Sequence, residues 1–346
     1  MRTIFDKTKD GIDVHIFTIK NAQGMSVSMI EYGATVTGIT VPDKSGNPID
    51  VVLGYDTVAE YEDNGFYFGC IVGRNANRIA KATYTIDGVT YPLLVNDNEN
   101  NLHSGPKGFD KIVWKGEEID ESTVKFTYFS PDMENGFPGN MDAAVTYQIT
   151  EDNSLKMTFE ATTDKATIAN FASHTYYNLN GHDQGSIEKH NVQLFASNIN
   201  PAHDSQAIPT GEEMDVTGTP FDFRTAKTIG QDIDADNEQL AFAGGYDHNF
   251  VMDGDHSTLR PFGVFTADKS GIVMKVSSNQ QGMQFYTGNF ITKHAGKGGT
   301  EYDFRYGFAI EPQFTPNAIN DPHFESPILR PGEKYLSETV LSFSAE

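Results

Sequence analysis

Tyr84-Thr85-Ile86-Asp87-Gly88-Val89-Thr90-Tyr91 is the stretch whose reading decides the fold. Runs of β-branched and aromatic residues flank Asp87-Gly88. A two-residue hairpin turn of type I′ needs positive φ at both central positions, and Asp-Gly meets that need at little steric cost. The stretch predicts two antiparallel strands and a tight turn. Working outward, the same kind of pattern recurs on both sides. Toward the N-terminus, β-type runs cover Val14 to Ile19, Ser26 to Tyr32 and Thr35 to Val41, and Pro42 to Pro48 has the chemistry of a turn. Val51 to Tyr55 reads as a buried strand, and Thr57 to Tyr61 as one helical turn with Thr57 as its cap.

Toward the C-terminus, β-type runs follow at 124–129, 144–149, 155–161, 191–196, 249–252, 262–267, 272–277, 283–286, 308–314 and 338–343. Only Thr225 to Ile233 and Ala235 to Phe242 look helical. Many short strands, turns between them and no long helix predict an all-β sandwich or barrel. No Ser/Gly/Pro-rich linker divides the chain, so residues 1–346 are expected to form one large domain. Trp114, in Lys111-Ile112-Val113-Trp114, is read as a core residue.

The totals narrow the function. Lys and Arg number 25 against 48 Asp and Glu, a net charge of -23, and no basic block occurs. Nucleic acid and anionic membranes, which need clustered Lys/Arg, are excluded as expected partners, and a neutral ligand is favoured. The one cysteine, Cys70, cannot pair within the chain and reads as an inert buried thiol. With no apolar leader at the N-terminus and no stretch of roughly 18 apolar residues, a cytoplasmic protein is expected.

Motifs for cofactors are missing. His294-Ala295-Gly296-Lys297-Gly298-Gly299-Thr300 is glycine-rich without phosphate-loop spacing and reads as a mobile surface loop. The segment 232–237 starts like a calcium loop but has Asn237 at the sixth position and Ala243 at the twelfth. The ten histidines form no paired zinc spacing. No metal, nucleotide or other cofactor is expected.

Five stretches set polar groups among strand-like residues: Gly73 to Ile79, Leu102 to Gly105, Ser173 to Gly181, Gly244 to Phe250 and Gly307 to Gln313. In the third, period-2 alternation puts His174, Tyr176 and Asn178 on one face, a polar floor for a small polar ligand. The alternative for His174 is a core histidine bonded to nearby backbone. Glu311 follows three apolar residues, where an unpaired charge is costly. It either pairs with an arginine such as Arg78, or ends a strand in solvent, or joins a histidine as general base beside general acid. Asp247 has a turn role as its alternative, and His103 an exposed loop.

At these residues the chain resembles the aldose 1-epimerases, or galactose mutarotases. The resemblance is carried by Gly73-Arg74-x-Ala76-Asn77-Arg78-Ile79, Asn100-Asn101-Leu102-His103-Ser104-Gly105, Asn135-Gly136-Phe137-Pro138-Gly139 and His174-Thr175-Tyr176-Tyr177-Asn178-Leu179. It continues in Tyr246-Asp247-His248, Gln284-Phe285-Tyr286-Thr287-Gly288-Asn289-Phe290, Glu311-x-Gln313 and Leu329-Arg330-Pro331-Gly332-Glu333-Lys334-Tyr335. The resemblance implies a large antiparallel β-sandwich and a cofactor-free isomerase for free aldohexoses, galactose and glucose. It implies that Glu311 is the general base at the C1 hydroxyl and His174 the general acid at the ring oxygen. It further implies that Asn77, Arg78, His103, Tyr176, Asp247 and Gln284 hold the sugar.

Ser173, Tyr177 and Pro312, and the segment Thr315-Pro316-Asn317-Ala318, depart from the family pattern without removing a catalytic group. They bear on sugar preference. A disaccharide such as maltose, or a sugar-binding module without catalysis, are the alternatives. Retention of both Glu311 and His174 argues against the second. A monomer or homodimer is expected.

Overall fold

Two antiparallel sheets meet face to face because their strands alternate apolar and polar side chains. In the computed structural model, which describes residues 2–63 and 65–346, a nine-stranded sheet runs in the order Lys115–Asp120, Thr123–Ser130, Met141–Ile149, Ser154–Thr163, Tyr335–Ala345, Ile272–Ser278, Arg260–Thr266, Asn191–Leu194, Lys227–Thr228. A six-stranded sheet runs Tyr176–Tyr177, Phe308–Gln313, Gly282–Tyr286, Asp247–Met252, Ala196–Asn200, Met214–Asp215. Five strands between Arg2 and Asp50 form an N-terminal sheet. The strand pairings are antiparallel, as expected for a β-sandwich.

The core lies between the two large sheets. Phe265 of the nine-stranded sheet stacks on Phe308 of the six-stranded one, with ring centroids 4.9 Å apart and planes 10° apart. Phe285 meets both rings at 5.9 and 6.2 Å. Phe17 of the N-terminal sheet meets Phe126 edge-on at 5.4 Å. Trp114 is buried, as expected, and Cys70 is buried too.

Local signals hold at several turns. Asp87 and Gly88 have φ of 51° and 81°, Ile86 pairs with Val89, and Arg330 grips Asp87 with two N–H bonds of 2.9 Å. Thr57 caps the helix Val58–Asp63: its Oγ1 accepts from the Glu60 N–H, and Glu60 Oε2 accepts from the Thr57 N–H. The other α-helix among the described residues, Glu238–Ala243, begins after the capping side chain of Asn237.

Other readings need correction. The segment Thr225 to Ile233 forms no α-helix, only a 3-10 turn at Ile229–Gln231. Lys227–Thr228 joins the sheet, and the N–H groups of Ile229 and Gly230 bond to His190 and Glu188, which takes the backbone bonds a helix would use. The glycine-rich segment 294–300 is anchored: His294–Ala295 pairs with Glu301–Tyr302, and Lys297 donates to Thr37 O, Val52 O and Asp50 Oδ2 at 2.8, 2.9 and 2.6 Å. The stretch 173–181 is not one strand. Ala172–Ser173 pairs with Ile71–Val72, and Tyr176–Tyr177 pairs with Phe308–Gln313. His174 stands at this change of partner, bonded through its backbone to Gly69 and Cys70. Asn178 leaves the expected polar face and donates to Gly185 O and Tyr306 O.

Among the described residues, no helix is long and apolar enough to cross a membrane.

Phe308→Ala is expected to cost about 3–5 kcal/mol, because the flat stack between the sheets cannot close over the lost ring. Urea unfolding measures it. A loss below about 1 kcal/mol would show that the sheets repack freely.

Candidate active site

Alternation along Phe308–Gln313 builds the floor of the site. Phe308 and Ile310 enter the inter-sheet core, so Ala309, Glu311 and Gln313 occupy the opposite face. On neighbouring strands Gln284 lies opposite Glu311, Tyr286 opposite Ala309, Asp247 opposite Tyr286, and Tyr176 opposite Ala309. Strand register alone thus gathers residues more than a hundred positions apart in sequence. Loops close the top: Gly65 to Tyr67, Asn77 and Arg78, Leu102 and His103, and Phe290 complete a cavity of about 150 Å³. A more open groove of about 480 Å³ on the nine-stranded sheet, between Lys125 and Phe129, holds no comparable set of buried titratable groups.

Glu311 is 2% exposed, and its Oε1 lies 3.7 Å from Nε2 of His174. Burial pushes the Glu311 carboxyl up to about 8, Asp247 adds to the rise, and Arg78 opposes it. Burial pushes His174 down to about 4. Both shifts disfavour charge. Between these values the pair holds one proton, and the groups titrate as a unit. Asp247 is raised as well, first by burial.

The surrounding groups are held in place. The Asn77 N–H donates to Nδ1 of His103 at 3.1 Å, which leaves the neutral ring's proton on Nε2. Asn77 adopts φ of 62°, and its Oδ1 accepts from the Arg78 N–H at 2.8 Å. Arg78 Nε donates to Asp97 Oδ2 at 2.7 Å, so its partner is Asp97 rather than Glu311. Gln284 is 3% exposed and donates to Asp247 Oδ1 at 2.7 Å. It stands behind Asp247 instead of on the cavity wall.

Of the eight residues singled out in the sequence, seven line the cavity: Glu311, His174, Asn77, Arg78, His103, Tyr176 and Asp247. His103 is buried, not in an exposed loop. Sequence reasoning missed Tyr67. Its ring sits 4.7 Å from His103 and 5.5 Å from His174, whose own rings are 5.2 Å apart and nearly perpendicular. Tyr67 has φ of 61°, uncommon for an aromatic residue, and nothing in the apolar run Phe66 to Val72 signals that. Phe66, Tyr286 and Phe290 also line the cavity. Phe290 is largely exposed at its edge, and its N–H donates to the Tyr286 hydroxyl.

His103, His174 and Glu311 bring three metal-ligating atoms within 4.8 Å of one another. The donor set does not fit a metal well. With Nδ1 of His103 taken by the Asn77 N–H, Nε2 carries a proton and offers no lone pair. A neutral polyhydroxylated ligand suits the site better: donors at His103 and Arg78, acceptors at Asp247 and Glu311, and aromatic faces around them.

Known proteins share this chain's sequence pattern and fold. The family model described as aldose 1-epimerase matches residues 15–342. The chain is 39% identical to the galactose mutarotase of Bos taurus over 332 residues, covering 96% of this chain and 94% of that one. It is 37% identical to the aldose 1-epimerase of Escherichia coli K12, covering 97% of each. Among solved structures, an aldose epimerase homologue from C. elegans superposes with a TM-score of 0.88 at 32% identity, covering 95% of this chain and 98% of that one. A galactose 1-epimerase from Lactobacillus acidophilus gives 0.87 at 28% identity, covering 100% and 98%.

The raised carboxyl of Glu311 predicts a stability cost. It binds its proton more tightly folded than unfolded, so its contribution is greatest below the ordinary 4.5 and is lost as pH rises toward about 8. Glu311→Gln removes that loss. The variant is expected to melt higher than the parent at pH 8–9, with a gain of at most about 5 kcal/mol, and to match it more closely near pH 4. Calorimetric melting across this range checks the sign.

Proposed function

The chain belongs to the aldose 1-epimerase family, and we propose that its Glu311–His174 pair performs the ring opening and closure by which it interconverts the α and β anomers of aldoses. The observation that carries the assignment is the 3.7 Å approach of these two buried groups at the cavity floor. Galactose and glucose are the proposed substrates. The galactose named for the bovine and Lactobacillus relatives supports the first.

Ring opening begins with Glu311 as carboxylate and His174 as imidazolium. Glu311 takes the proton from the C1 hydroxyl, the C1–O5 bond breaks, and His174 gives its proton to O5. C1 is now an aldehyde, Glu311 is neutral and so is His174. The aldehyde turns about C1–C2, O5 attacks its other face, His174 takes the O5 proton back, and Glu311 returns a proton to O1. The pair ends with the proton it started with.

Burial in the empty cavity favours the neutral pair, with the proton on Glu311. That is the state from which closure starts. Opening starts after the proton moves to His174, a shift that the sugar's hydroxyls and the Arg78 guanidinium favour by solvating the carboxylate. His103, through its Nε2 proton, and Arg78, Asn77 and Asp247 hold sugar hydroxyls. Gln284 fixes the Asp247 carboxylate. Tyr176 and Tyr67 confine His174. The 346-residue chain acts as one unit, and its lone buried thiol favours the reducing cytoplasm. A monomer or a homodimer is compatible with this site.

Polarimetry of fresh α-galactose and α-glucose tests the assignment. The parent is expected to speed the decay to the same final rotation. Glu311→Gln and His174→Asn are each expected to lose about 10²–10⁴-fold, and a folded Glu311→Gln variant with full activity refutes the base role. kcat/KM is expected to form a plateau, falling below about pH 4 as the pair gains a second proton and above about pH 8 as it loses its only one.

Arg78→Ala is expected to raise KM, and Asp97→Ala to do so more mildly. If Asp97 acts only through Arg78, the double variant is no worse than Arg78→Ala. Additive losses would give Asp97 its own role.

A further inference from the structure

The cavity-side face of the six-stranded sheet continues past Glu311 into a buried polar patch in which several side-chain atoms have no hydrogen-bond partner among the described residues. Gln313 is fully buried, and neither its Oε1 nor its Nε2 has a hydrogen-bond partner. Oδ1 of Asn249 and Oε1 of Gln284 are buried and unpartnered too, and so is Oε2 of Glu311. These residues are neighbours by register. Gln284 faces Glu311, Asn249 faces Gln284, and Gln313 follows Glu311 on the same strand face, opposite Gly282. Gly282 has no side chain, and Asn249 fills the space above it: a Cβ there would stand 2.5 Å from Asn249 Oδ1. The carboxamides therefore converge beside Glu311.

Gln313 and Asn249 do not line the cavity that opens to solvent, and the family resemblance assigns them no sugar contact. The set contains one amide donor and four oxygen acceptors. A group that both donates and accepts satisfies it, and buried polar atoms in native proteins are almost always satisfied. Water is the small molecule with that capacity.

We propose that Gln313, Asn249 and Gln284 hold ordered internal water that donates to Oε2 of Glu311, and that Gln313 is thereby a positioning residue for the reacting carboxylate. The inference rests on Glu311 being the base. Oε1 faces His174, so a donor on Oε2 fixes the rotation of the carboxylate and leaves Oε1 to work. The same water gives the carboxylate a hydrogen bond when it is charged. Charged or titratable groups near Glu311 on other elements are His174, His103, Asp247, Arg78, Tyr176, Tyr286 and Cys70. None of them is altered by changing Gln313.

Two measurements test this. A crystal structure of the unaltered protein at high resolution is expected to show water within hydrogen-bond distance of both Glu311 Oε2 and the Gln313 amide. A cation there, or a Gln313 amide bonded only to protein, overturns the proposal. Gln313→Met keeps the volume and removes the hydrogen bonds. It is expected to lower kcat with KM little changed, and to move the alkaline limb of kcat/KM up by about one pH unit, because the carboxylate loses a donor. A folded Gln313→Met variant with the parent's kcat and pH limb overturns it as well. Glu311→Gln keeps the two questions apart: if that variant is inactive while Gln313→Met behaves like the parent, the base assignment stands and only the water site fails.

Discussion

The strand Phe308–Gln313 is buried on both faces, and the two faces have opposite chemistry. Phe308 and Ile310 seal the inter-sheet core. Glu311 and Gln313 point the other way, into a polar interior roofed by loops. A strand can do this because its side chains alternate strictly. The cost of burying Glu311 is met by the apolar face of the same strand, which anchors it in the sandwich. A one-residue slip in register would put Glu311 into the core and Ile310 into the cavity. The site therefore inherits its precision from the hydrophobic packing beneath it.

That burial also sets the electrostatics. Glu311 is raised and His174 lowered because both are buried, and burial favours the neutral form of each. A pair sharing one proton suits a reaction that is its own reverse. In the proposed mechanism, opening and closing the ring use the two tautomers in turn, and no proton needs to come from solvent. The loops that exclude water are themselves tied down: Arg74, buried, donates to Ser130, Pro131, Pro138, Gly139 and Thr167, which fixes the segment leading to Asn77 and Arg78. Of the two arginines in that motif, one is structural and the other lines the cavity.

The strands were largely legible in the sequence, because period-2 alternation and turn chemistry act locally. The Asp87-Gly88 hairpin is the clearest case. The stretch 173–181 shows the limit. Its composition is that of a strand, yet the chain changes partner at His174, since Ser173 pairs with Ile71 and Tyr176 with Ala309. No local signal reports which neighbour a strand will find. Thr225 to Ile233 fails as an α-helix for the same reason: a sheet partner claims Lys227–Thr228, and only a 3-10 turn follows at Ile229–Gln231.

By itself the sequence determined an all-β chain of short strands and the residue types of the site, and the family resemblance implied the sandwich. Alternation, the Asp87-Gly88 turn and a carboxylate stranded among apolar residues are properties of short stretches. Tertiary structure alone decided the partners. It joined Arg78 to Asp97, set Gln284 behind Asp247, gave Tyr67 its left-handed backbone against two imidazoles, and left Gln313 unsatisfied beside Glu311. Each depends on distances between segments far apart in the chain, and those follow from sheet register and packing, which no single stretch encodes.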